Sequence, residues 1–278
     1  MDFLQVVGDR RSIRWYKTWE KVSSDKIQRI LEVARLTTCP GNLQPWRAVV
    51  VDRDELEEKT REELLSASNW QGGHTQAPVW IYWYADPLRA RPESFATKLL
   101  ELIDVGATPR AYGCSPESVK GAIEKGTEAP EGMPPIGEGL HGLPTEISAV
   151  IAASETVGAC AVAVLAAVNE GLGTALHAIA RPSKQERVKE ILGVPAQCVP
   201  VWLQLVGYSL ESPKAGGQRP REPFEDLFFK GKWGIPYERN QGVVEQLKKE
   251  GLLQAQAPLP GRFEELRYLA RMYGYPSD

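Results

Sequence analysis

The sequence predicts a layered α/β or α+β fold, and three observations carry that expectation. The runs "RAVVVD", "APVWIYWYA", "GTALHAIA" and "CVPVWLQLVGY" are short and rich in β-branched and aromatic residues, as strands are. Segments with apolar residues at helical spacing lie between them. A chain of 278 residues, 42% hydrophobic and 25% charged, can also bury one large core.

Ser24 followed by Asp25 is a helix-start signal, and Ile27, Ile30, Leu31 and Ala34 repeat at helical spacing to about Leu36. "TTCPGNLQPW" then reads as a turn-rich loop, Arg47 to Asp52 as a buried strand, and about Asp54 to Leu65 as a charged helix. Ala77 to Ala85 is the second strand, and its Trp80, Tyr82, Trp83 and Tyr84 are expected in the core. The apolar stretch Ile147 to Val168 carries Ser154, Glu155 and Thr156 near its centre. That leaves only about a dozen apolar residues in a row, short of the roughly 20 a bilayer requires. A buried helix ending at Gly171 is expected instead, its alanines admitting a close neighbour in the core or at a subunit interface. "GTALHAIA" is the third strand, Pro182 opens an amphipathic helix to about Leu192, and Cys198 to Tyr208 is the fourth strand.

Two regions lack this regularity. Residues 87–144 collect Gly and Pro, and an excursion of that length suggests a lid or binding element. Residues 229–278 carry two short helical patterns separated by "QAQAPLPG", an extension able to wrap a partner subunit.

A net charge of −3 and a pI near 5.8 argue against a nucleic-acid partner. Cys39, Cys114, Cys160 and Cys198 form no CxxC pair, so neither a metal site nor a disulfide framework is expected. The opening residues show no leader pattern, and the expected compartment is a reducing cytoplasm with no membrane partner.

Against that acidic background, "GDRRSIRWYKTW" concentrates Arg10, Arg11, Ser12 and Arg14 in five positions. Guanidiniums around a hydroxyl match a phosphate or carboxylate, and a solvated basic face is the other reading. In "PGNLQPW", Asn42 and Gln44 each offer an amide donor and acceptor able to read the edge of a heterocycle, though the motif alone is an ordinary turn. In "GQRPREPFEDLF", Arg219 and Arg221 flank a proline shortly after a strand, with surface charge as the alternative.

Taken in order with "WQGGHTQAPVWIYW", "EGLGTALHA" and "LVGYSLESP", these motifs resemble the FMN-dependent nitroreductase family. The resemblance covers about Asp2 to Asp86 and Ile147 to Phe228. It implies an α+β fold, a mostly antiparallel central sheet flanked by helices, and a homodimer with FMN at the subunit interface. Residues 1–228 would form the FMN-binding domain, with an insertion at about 87–144. The resemblance gives Arg10, Arg11, Ser12 and Arg14 as N-terminal flavin contacts, and Arg219 and Arg221 as late phosphate contacts. It also implies Asn42 and Gln44 around the isoalloxazine and Gln71 at its pyrimidine edge. The segment from Leu176 to Ile179, with Ala178 and Ile179, is similar to the family's strand that runs behind the flavin and offers a backbone N–H to N5.

The implied activity is FMN-dependent electron or hydride transfer, from NADH or NADPH, to a small electron-poor organic acceptor by a ping-pong cycle. Reductive dehalogenation, ring dehydrogenation, and flavin storage or sensing without turnover are alternatives within the same resemblance. Tyr112 and Arg110 in the insertion are candidate substrate contacts. No residue is singled out as a catalytic acid or base. His177 reads as a core histidine, and His74 as either a core histidine or a positive group beside the flavin.

Overall fold

The sheet is built outward from β2 (Val79–Ala85), every residue of which is buried. Its neighbours are β1 (Trp46–Asp52) and β4 (Val199–Gly207), and β3 (Gly173–His177) pairs with the far side of β4. All three pairings are antiparallel, giving the order β1-β2-β4-β3. The computed structural model describes residues 2–68, 72–108, 115–117, 119, 145–214 and 216–276.

Strand periodicity sends alternate side chains of β2 to opposite faces, and both faces are covered. Trp80, Tyr82 and Tyr84 join Leu203 and Leu205 of β4, with Leu64 and Leu65 of α3 (Glu58–Ala67) and Val188 of α7 (Gln185–Leu192) above them. On the other face, Val79, Ile81, Trp83 and Val206 meet Ile27, Ile30 and Ala34 of α2 (Ser24–Arg35). Ala159, Ala163 and Ala167 of α6 (Thr145–Asn169) close that layer, their small side chains allowing helix and sheet to approach. The aromatic strand is therefore core, and each fully buried ring removes roughly 150–250 Å² from water. Trp83 Nε1 donates to Gln204 Oε1 at 3.0 Å and Gln204 Nε2 to Thr174 Oγ1 at 3.3 Å, so a buried polar chain links β2, β4 and β3.

Several boundaries differ from expectation for local reasons. The cap of α2 is Ser23, which accepts from Lys26 N, so the helix begins at the residue expected to cap it. The third strand stops at His177, leaving Ala178 and Ile179 beyond the ladder. A first helix, α1 (Phe3–Asp9), capped by Asp2, precedes the arginine run. Two further helices break the expected loops: α4 (Gly72–Gln76) before β2, and α5 (Pro92–Asp104) at the start of the 87–144 excursion. After α8 (Phe224–Leu227), the extension contains α9 (Gln241–Lys249) and α10 (Arg262–Met272), matching its two helical patterns.

The extension returns to its own chain's N-terminus. Gly8 lies so close to Gly251 that a Cβ there would sit 2.0 Å from the Gly251 carbonyl oxygen. Gln218 Nε2 donates to Gly8 O and Leu252 O, while its Oε1 accepts from Gln254 N. The hairpin closed by Tyr237 N to Phe228 O stays outside this packing and exposes Trp233 by 89%.

Candidate functional site

The arginine run leaves α1 at Arg10 and enters the edge of the sheet. Ser12 bridges Thr174 of β3 in parallel, and Ile13 N donates to Thr174 O at 2.9 Å. Extended alternation then buries Ile13 against Gly173, and a Cβ at Gly173 would lie 3.0 Å from the Ile13 side chain. Anchoring Ile13 inward turns Ser12 and Arg14 outward.

Arg10, Ser12, Arg14, Arg219 and Arg221 line one cavity of about 590 Å³, together with Gly217, Gln218, Leu252, Leu253 and Arg262. The N-terminal and late arginines, some two hundred residues apart in sequence, therefore meet in one cavity. No described residue lining it is acidic. Burial, and then the facing Arg221, hold Arg10 below the usual arginine range. Two cations set together without a carboxylate between them form an anion-binding arrangement.

Arg11 also borders the cavity but is directed into the protein. Its Nη1 donates to Gly8 O at 2.6 Å, its Nε to Lys214 O at 3.0 Å and its Nη2 to Gln254 Oε1 at 2.9 Å. Arg11 thus ties the N-terminal segment to the extension, a role its place in the run does not reveal.

Arg14 also lines a second cavity of about 510 Å³, shared with Trp15, Gly72, Gly73, Gln76, His177, Ala270 and Tyr275. Trp15 meets Tyr273 and Tyr275 at ring-centroid distances of 5.8 and 5.7 Å, so part of this wall is aromatic. Ala178 is exposed and Ile179 buried, and neither lines either cavity although His177 does.

Asn42 and Gln44 lie elsewhere. Gly41, Asn42 and Gln44 have φ values of 57°, 55° and 47°, and Gln44 Nε2 donates to Asn42 Oδ1. A left-handed conformation is costly for Gln and marks a loop held for a purpose. Gly41 is required because Phe95 of α5 packs where its Cβ would be, 2.4 Å from Phe95 Cε2. The excursion therefore begins by supporting this loop. Ser12 lies level with Thr174, Val206, Val79 and Asp52, whereas the loop precedes Trp46 at the other end of β1. At about 3.3 Å per residue and 4.8 Å per strand, the two groups sit at diagonal corners of the sheet, roughly 30 Å apart. Gln71, Arg110 and Tyr112 lie outside the described residues.

His74 is fully buried, with Nδ1 2.5 Å from Ser68 Oγ, Tyr82 OH near Nε2 and the Trp80 ring packed against it. Ser68 Oγ donates to Leu65 O and so accepts from Nδ1. Burial, and then His177, push its pKa down to about 3, so His74 is neutral near pH 7 and supplies no positive charge to a ligand. Between that value and about 6.5 the unfolded chain binds a proton the folded one does not, so stability falls as pH falls. Shifting from pH 7 to pH 5 should cost about 2 kcal/mol from this group, and His74→Asn should flatten that part of a urea-denaturation pH profile.

Residues that the sequence did not flag complete the site. Gln218 and Gln254 knit its base, Leu252, Leu253 and Arg262 form the wall of the first cavity, and Trp15, Gln76 and Tyr275 line the second. Most belong to the extension, whose partners are more than two hundred positions away or have no motif.

An arginine-lined cavity at the edge of a helix-covered antiparallel sheet, sharing Arg14 with an aromatic-walled cavity, defines an α+β ligand-binding protein. Its relatives narrow that class. The nitroreductase family model matches residues 7–96. A Thermus thermophilus protein named NADH dehydrogenase is 30% identical over 213 residues, covering 77% of this chain and 89% of that protein. YdgI of Bacillus subtilis is 41% identical over 58 residues, covering 21% of this chain, and that match spans only 28% of YdgI. Among solved structures, an Exiguobacterium sibiricum protein in complex with FMN superposes with a TM-score of 0.62 at 21% identity, covering 82% of this chain and 96% of that one. NfrA2 of B. megaterium gives 0.57 at 18% identity, covering 100% of this chain and 93% of its own. The chain belongs to the nitroreductase family of oxidoreductases.

Proposed function

We propose that this protein is an FMN-dependent oxidoreductase, and the carrying observation is the pair of cavities that share Arg14. The first offers a phosphate dianion Arg10, Ser12, Arg219 and Arg221 without a competing carboxylate. The second offers a planar ring Trp15, the Gly72–Gly73 backbone and His177. Arg14, at the junction, places a positive charge where the N1 and O2 edge of an isoalloxazine would gain negative charge on reduction. The donor set therefore fits FMN and needs no metal to hold the phosphate.

When bound, FMN supplies hydride and electron transfer at N5, taking electrons from NADH or NADPH and passing them to a second molecule in a ping-pong cycle. The chain's part is to bind, orient and tune. The name of the Thermus relative supports a nicotinamide donor, and the aromatic wall supports a flat, electron-poor acceptor such as a quinone or nitroarene.

The site is completed in a homodimer. Asn42 and Gln44 lie too far from Arg10 to meet the same mononucleotide, so they face the cavity of the second copy. The interface is α6, which leaves Ile147, Val150, Ser154, Val157 and Ala161 exposed at heptad-like spacing, with Val150 68% exposed. This helix has the length and composition of a membrane span, yet it packs on α2 and the sheet. The exposed hairpin around Trp233 wraps the partner. Free Cys39, Cys160 and Cys198 suit a reducing cytoplasm.

The purified protein should be yellow and should bleach when NADH or NADPH is added without oxygen. A quinone or nitroarene should restore the colour. A bound flavin that neither nucleotide reduces would instead support storage, sensing or a dedicated protein donor. A colourless protein with no FMN affinity would overturn the reading.

A further inference from the structure

We propose that the Glu211–Arg262 ion pair positions Arg14 against the flavin ring, so that the C-terminal extension tunes the cofactor's redox balance. This rests on the FMN reading and on Arg14 as its ring-side cation. Glu211 Oε1 accepts from Arg14 N at 2.6 Å and from Trp15 N at 3.1 Å. One carboxylate oxygen thus fixes the two peptides from which Arg14 and the aromatic wall project. Its other oxygen accepts from Arg262 Nη2 of α10.

The Glu211 side chain is only 1% exposed, and Arg262 is the cation paired with it. Arg262 is held in turn by Glu265 at 2.8 Å, and Glu265 also accepts from Ser212 N and Oγ. Gly216 makes room for this arrangement. Its φ is +77°, and a Cβ there would lie 2.6 Å from Arg262 Cδ.

A buried ion pair is weak evidence for stability and is better explained by what it orients. Among the described residues, Arg14 is the one that lines both cavities, and the pair orients its peptide. Among the described residues Arg14 itself forms no ion pair. Its Nη1 donates to Ser12 O at 3.1 Å, leaving its charge facing the site. Breaking the clamp from the Arg262 side frees the Arg14–Trp15 peptides and leaves Arg10, Arg219 and Arg221 intact. A weaker phosphate grip lowers affinity for oxidised and reduced FMN alike, whereas a displaced ring-side charge shows as a change of potential.

The test compares wild type, Arg262→Gln and Arg262→Lys by FMN titration, flavin midpoint potential and melting temperature. Arg262 also borders the first cavity, so in Arg262→Gln affinity for FMN in both oxidation states should fall by a common factor. Beyond that loss, the preference for reduced over oxidised FMN should fall about tenfold, a two-electron potential about 30 mV more negative. Arg262→Lys, which restores a charge beside Glu211, should recover most of that shift. An unchanged potential in Arg262→Gln would overturn the proposal, as would a drop in melting temperature and affinity without a change in potential. If Arg262→Gln does not fold, Glu265→Gln loosens Arg262 while leaving Glu211 paired, and a smaller shift of the same sign is expected. No shift in that variant would also overturn it. Wild-type protein that binds no FMN would instead refute the underlying reading, and this inference with it.

Discussion

Replacing both Arg10 and Arg221 by alanine should release FMN on dilution. Each guanidinium offers a charge-assisted contact to a phosphate, worth roughly 1.5–3 kcal/mol. Losing both should cost about 3–6 kcal/mol, a weakening on the order of a hundred- to ten-thousandfold. The fold should not suffer, because Arg10 and Arg221 repel each other in the absence of an anion and Arg221 is exposed. The melting temperature of the apoprotein should stay level or rise. Arg11→Ala is the control, because it removes the bonds to Gly8, Lys214 and Gln254 and should lower stability with or without flavin. Ultrafiltration followed by flavin fluorescence of filtrate and retentate reads the result. Stoichiometric flavin retained by the double variant would show that the phosphate lies elsewhere.

The contrast between Arg10 and Arg11 shows what a sequence can disclose. Charge clustering and motif order located the cavity, because the ligand chemistry of guanidinium does not depend on its neighbours. Which arginine turns inward was not legible. That depends on carbonyls at Gly8 and Lys214 and an amide at Gln254, and so on how the chain's two ends meet. The strands were legible because period-two patterning and β-branched content are local, and β2 is core on both faces as its composition suggested. The α+β character came from the resemblance, not from strand composition, because pairing direction lies in the register; all three pairings are antiparallel, as the resemblance implied. Helix α5 was missed because Pro and Gly nearby masked its periodicity, and the positive φ of Gln44 has no compositional signal at all. Arg262 was invisible for a related reason. Its partner Glu211 is 51 positions away, and both look like ordinary surface charges until the extension folds back.

The distance between Asn42 and Arg10 also turns a question of assembly into one of cofactor retention. If each site draws residues from two copies, any change that separates the copies should also empty the sites. Val150→Glu with Val157→Glu is the sharpest such change. Both side chains are exposed in the single chain, at 68% and 44%, so a monomer should tolerate the carboxylates within about 0.5 kcal/mol. In an interface formed by the same face of both copies, each substitution occurs twice. Four carboxylates would then be buried without partners, each costing several kcal/mol. The variant should elute as a 30.8 kDa monomer, and the wild type should elute at twice that mass. Its circular dichroism should match wild type, and its FMN should dissociate although all the site arginines remain. Loss of the dimer with full flavin retention would refute the placement of Asn42 and Gln44 at the partner's ring, leaving the arginine cavity sufficient alone. A variant that remains a flavin-loaded dimer would show that α6 is not the contact, and the exposed hairpin around Trp233 would then be the surface to change next.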